Sequence, residues 1–107
     1  MLAALFGNST AEQVLLYLAI NGTAYAQELV GALGLHLSVI QKQLLRLEAG
    51  GVLVSFPVGR TRVFEFDPRF AFAGDVRALL RRAFDYLPPR ERARYLARRR
   101  PRSAAKR

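Results

Sequence analysis

Lysine and arginine can grip phosphate or read base edges, and the first 68 residues of this chain hold only four of them: Lys42, Arg46, Arg60 and Arg62. Lys42 and Arg46 stand one helical turn apart in residues 37–50, a stretch with helical periodicity. Arg60 and Arg62 sit at the tip of an expected hairpin over residues 52–67. Scattered surface cations serve solubility, and these four are not scattered. A basic helix face followed at once by a basic hairpin tip suits a DNA duplex, with the helix in the major groove and the hairpin on the flanking backbone.

Each residue has its own expected role, set beside a plainer one. Gln41 and Lys42 have the chemistry for base edges, since glutamine can bridge adenine and lysine can reach guanine; the plain alternative is a solvated polar face. Arg46, nearer the helix end, suits a phosphate, or a pairing with Glu48 or Glu12. Arg60 and Arg62 suit the backbone or the minor groove. His36 suits a phosphate near a helix N-terminus, where backbone N–H groups point outward, or else a simple cap or exposed turn. Tyr25 is assigned to core packing ahead of any backbone contact.

Composition narrows the classes. The chain has 107 residues, 51% of them apolar, which fits one domain with a modest core. It has no cysteine, so disulfides, thiolate metal sites and cysteine nucleophiles are excluded, and its single histidine excludes histidine clusters. No apolar run approaches the roughly 20 residues of a membrane span. Met1–Leu5 lacks the positive region of a signal peptide, so a cytoplasmic protein is expected. There is no phosphate-cradling glycine loop and no nucleophile–base pair, so no enzyme is expected. The net charge of +9 is uneven: residues 90–107 carry nine cations against Glu91 alone, whereas residues 1–89 carry eight cations and seven anions.

The elements that must position the four cations are legible in outline. Ser9 and Glu12 have capping-box spacing, and Ala11, Val14, Leu15 and Leu18 fall on one face, so residues 10–20 read as a helix that ends at Asn21-Gly22. Tyr25 to Leu33 reads as a second helix, with Gly34 after it as a residue able to take positive φ. A third runs from near His36 to Ala49, carrying Leu37, Ile40, Leu44 and Leu47 inward, and Gly50-Gly51 stop it. Two helices joined by about three residues around a glycine make a helix-turn-helix. The period then switches to two over residues 52–67. Facing the apolar side chains together predicts a three-residue loop, Gly59-Arg60-Thr61, pairing Phe56 with Phe64 and Val54 with Phe66.

The stretches LFGNSTAEQVLLYL, AQELVGALGLHLSVIQKQLLRLEAGGVLVS and VGRTRVFEFDP, within Leu5 to Pro68, resemble the arsenic-repressor-like (ArsR-like) winged-helix regulators. The resemblance implies a mostly α fold with a β-hairpin wing: a winged helix-turn-helix followed by a C-terminal helix or helices. It implies a transcriptional regulator, expected to be a repressor, binding double-stranded operator DNA as a homodimer. By position, His36, Ser38, Gln41, Lys42 and Arg46 would meet DNA from the third helix, and Gly59, Arg60 and Arg62 from the wing. The chain departs from the family's pattern at three places: His36 replaces a serine or threonine cap, Val30 a small alanine, and Leu45 a charged residue. Metal-sensing members use cysteine and histidine clusters absent here, so no metal or other cofactor is expected. Winged helices also serve as protein-docking modules, which is the alternative reading.

The domain plan is therefore a winged helix-turn-helix over residues 1–68, a fourth helix within residues 69–89, and an arginine-rich tail over residues 90–107. The fourth helix, Asp75 to Leu87, carries Val76, Leu79, Leu80, Ala83, Phe84 and Leu87 on one side. That stripe is either core cover or a dimer seam. The tail is expected to begin with a short helix holding Tyr95 and Leu96. It is either an electrostatic arm along a nucleic-acid backbone or a docking segment for an acidic protein.

Overall fold

The computed structural model describes residues 1–96. Six helices and three strands follow one another: α1 (Ala3–Phe6), α2 (Ser9–Asn21), β1 (Thr23–Tyr25), α3 (Ala26–Leu33), α4 (Leu37–Ala49), β2 (Leu53–Val58), β3 (Thr61–Phe66), α5 (Ala73–Asp85) and α6 (Pro89–Leu96). The result is mostly helical with a small antiparallel sheet, and it is compatible with a winged-helix layout. Among the described residues no helix is long and apolar enough to cross a membrane.

The fold is arranged around α2. Val14 through Ala19 are all buried, so this helix is enclosed on every side. Helices α1, α4, α5 and α6 all pack on it. Its N-cap is Asn8, whose Oδ1 accepts from the Ala11 N–H at 2.7 Å. The capping box expected from Ser9 and Glu12 does not form. Ser9 is already the first helical residue, and the Glu12 carboxylate accepts from the Leu2 N–H at 2.6 Å instead. The short α1 and the strand β1 are both additions to the elements expected from the sequence.

Strand β1 pairs with β3, which makes β3 the central strand in the order β1-β3-β2. The hairpin register differs from the expectation. Leu53 stands opposite Phe66, Ser55 opposite Phe64, Phe56 opposite Val63 and Val58 opposite Thr61, which closes on a two-residue loop, Gly59-Arg60. Gly59 has φ +62°, the left-handed value that a two-residue hairpin needs. The expected register fails because it turns Val54 and Phe56, and not Leu53, toward the core. Leu53, Phe64 and Phe66 are buried, while Val54, Phe56 and Val58 lie on the outer face. Asp67 closes the strand: Arg69 donates to its carboxylate from the guanidinium and the backbone and holds its pKa below the ordinary value.

The expected turn between α3 and α4 is present, with Gly34 at φ +67° donating its N–H to the Val30 carbonyl at 2.9 Å. Helix α5 begins at Ala73 and ends at Asp85, two residues earlier at each end than expected. Of its apolar stripe, Leu80 (0% exposed) and Ala83 are buried within the single chain. Val76, Phe84 and Leu87 pack partly against the core, and Leu79 remains exposed. Leu80 and Ala83 are therefore core cover and not seam residues.

The tail boundary also moves. Helix α6 belongs to the folded unit: Tyr95 is 2% exposed, meets Phe84 edge-to-face at 6.2 Å, and offers its carbonyl to Asn21 Nδ2 at 2.9 Å. The remainder of the expected tail, residues 97–107, lies outside the described residues. Burial pushes the Tyr95 phenol up to about 12 from an ordinary 10.0, against a smaller opposing effect of Arg94. Because the fold favours the neutral phenol, this contribution is complete below pH 10 and is lost as pH rises through about 12. Thermal melts across the alkaline range should show that loss, and Tyr95→Phe should remove it. Tyr95→Ala should cost about 3–5 kcal/mol in chemical denaturation.

Candidate functional site

Helix α4 buries Ile40, Gln43, Leu44 and Leu47 and turns Ser38, Gln41, Lys42 and Leu45 outward. Those four recur at i, i+3, i+4 and i+7, one continuous face of the helix. The hairpin rises beside it. Between them lies an open cleft of about 540 Å³, lined among others by Tyr25, Gln27, Gln41, Leu45, Arg60 and Arg62. No carboxylate lines it, so the two guanidinium groups set its charge. The structure thus brings Gln41, Arg60 and Arg62 to one place, with Lys42 and Ser38 on the adjoining helix face.

Arg62 is held in position. Its Nη1 donates to Ser55 Oγ at 2.8 Å, and Ser55 Oγ donates to Glu48 Oε2 at 2.6 Å. This relay ties the hairpin to the last turn of α4. Ser55 faces the core side of β2, opposite Phe64, where an apolar residue could make no such bridge. Arg60 is exposed at the loop itself, next to Gly59.

Arg46 is placed elsewhere. Its Nη2 donates to the Phe6 carbonyl at 2.8 Å and its Nε to Gln43 Oε1 at 2.9 Å. Asn8 Nδ2 donates to the same Gln43 oxygen at 3.2 Å. Arg46 therefore points to the end of α1, away from the cleft, and pairs with neither Glu48 nor Glu12. Its role is to fasten α4 to the N-terminal segment. His36 occupies the N-cap position of α4, exposed, with no capping hydrogen bond from its side chain.

Two cleft residues escape a reading of the sequence. Tyr25, expected in the core, is exposed and lines the cleft, and Gln27 joins it from the first turn of α3. Nothing in the sequence signals this, because it depends on β1 docking beside β3 and carrying the start of α3 to the hairpin. The outer face of the hairpin holds a further surprise in Phe56 and Val58, both exposed, beside half-buried Val54 and Val63. Comparison of the chain with protein-family models, with curated proteins and with solved structures returns no match.

Arg46 and Lys42 should separate in a stability measurement. Arg46→Ala should lower stability by about 1 kcal/mol through its lost hydrogen bonds, whereas Lys42→Ala should leave the melting temperature unchanged.

Proposed function

We propose that this chain is a winged helix-turn-helix DNA-binding regulator of the arsenic-repressor-like kind, with α4 as the helix that enters the major groove and the β2–β3 hairpin as the wing. One observation carries the reading: the uncovered face of α4 and two hairpin arginines border one open cleft whose lining contains no carboxylate. A 13-residue helix is about 20 Å long, and its outward face of Ser38, Gln41, Lys42 and Leu45 suits a groove about 12 Å wide. Gln41 and Lys42 supply base-edge hydrogen bonds, while Arg60 and Arg62 supply phosphate or minor-groove contacts. In this reading the protein is a homodimer on an inverted repeat and acts as a repressor. Arg46 is withdrawn from the contact set, because its hydrogen bonds to Phe6 and Gln43 hold it at the end of α1, outside the cleft.

A second reading, a protein-docking module, draws on the apolar outer face of the hairpin. Phe56 and Val58 are exposed on that face, and an apolar surface of this kind suits another protein better than phosphate.

Two double variants discriminate these readings, assayed on DNA fragments from upstream of the protein's own gene. Gln41→Ala/Lys42→Ala and Arg60→Ala/Arg62→Ala should each weaken specific binding by about tenfold or more. Unchanged binding in both would move the function to the docking face. Removal of residues 97–107, which hold six cations and no anion, should lower affinity for all DNA alike and keep the sequence preference. The log–log salt slope should become shallower by roughly 0.9 for each phosphate that the tail neutralises in the full-length chain.

A further inference from the structure

Leu45 stands apart from its neighbours on the outward face of α4. Ser38, Gln41 and Lys42 can all form hydrogen bonds with a duplex, whereas Leu45, 60% exposed, can form none from its side chain. It follows Gln41 by one turn on the same side of the helix, and both residues border the cleft between α4 and the hairpin. Leu37, Leu44 and Phe64 line the same cleft from deeper positions, Leu37 half-buried and the other two buried. Leu45 therefore carries an apolar wall out to the surface that Arg60 and Arg62 also border. The arsenic-repressor-like pattern has a charged residue at this place, so the wall is a property of this chain.

A leucine on a face that enters a groove is restricted in what it can meet. Against a phosphate it displaces water from the charge and returns no hydrogen bond. Against the donors and acceptors of base edges it does the same. The one apolar group on the major-groove edges is the 5-methyl group of a pyrimidine, which thymine carries and cytosine gains when methylated at C5. We propose that Leu45 reads a pyrimidine 5-methyl group in the major groove and makes the chain selective for it. The inference rests on the DNA-binding reading above and adds to it one residue and one group on the base. The helix sets the register. Residues four apart are separated by about 6 Å along the axis, against about 3.4 Å for each base step. The methyl-bearing pyrimidine thus lies about one or two base pairs from the base that Gln41 contacts.

Duplexes selected by the full chain from a random-sequence pool supply the probe. In the selected motif each thymine is replaced singly by deoxyuridine, which removes only the methyl group, and each cytosine singly by 5-methyldeoxycytidine. At one position in each half-site, deoxyuridine should weaken binding about fourfold, or 5-methyldeoxycytidine should strengthen it as much, the effect of one buried methyl group. The replacement that acts identifies the base. Leu45→Ala, checked for folding by circular dichroism, should bind the probes with and without that methyl group equally, while keeping the preference set by Gln41 and Lys42. This variant separates a direct contact from any change that the methyl group makes in the duplex itself. A motif indifferent to every replacement would overturn the inference and leave the DNA-binding reading standing. A methyl effect that persists in Leu45→Ala would overturn it too. A pool from which no sequence is enriched would sink both.

Discussion

The enclosure of α2 is the constraint on which the rest depends. A helix buried from Val14 through Ala19 cannot stand at a surface, so the other helices have to contribute cover. Helix α4 supplies Ile40, Leu44 and Leu47, α5 supplies Leu80, and α6 closes the far side with Tyr95. Each covering helix commits one face to α2 and keeps another free. The outward face of α4 is what remains once its inner face is committed, and the same holds for the exposed Leu79 side of α5.

Polar contacts then fix the orientation of the covering pieces. Gln43 is buried and accepts from both Asn8 and Arg46, so α4 is locked to the α1–α2 junction at its middle and its end. Glu48 reaches the hairpin through Ser55 and Arg62 from the same helix. Helix α4 is thereby held from two sides, which keeps it at a constant offset from Arg62. Preorganisation of this kind lowers the ordering cost of binding an extended partner such as a duplex.

Much of this is legible in the sequence, and the gaps have physical causes. Apolar periodicity locates α2, α3, α4 and α5, and Gly34 marks the turn, because those signals are local. Strand β1 is not legible, because three residues carry no readable period and its pairing with β3 is non-local. The hairpin register misleads because Leu53, and not Val54 or Phe56, is the core residue of β2. Charge alone draws the tail boundary at residue 90, yet Tyr95 anchors α6 to the core amid those arginines. At the site, Gln41, Arg60 and Arg62 can be foreseen from residue type and spacing. Arg46 cannot be separated from Lys42 in that way, because its acceptor, the Phe6 carbonyl, lies forty residues away in sequence.

The central claim is that the α4 face and the hairpin tip read a DNA sequence. Crosslinking the tagged, full-length protein to DNA across its own genome tests that most directly. The account predicts recovered fragments sharing one short inverted-repeat motif, with occupancy falling when Gln41 and Lys42 are replaced. A flat profile without a common motif, unchanged by those replacements, would contradict it.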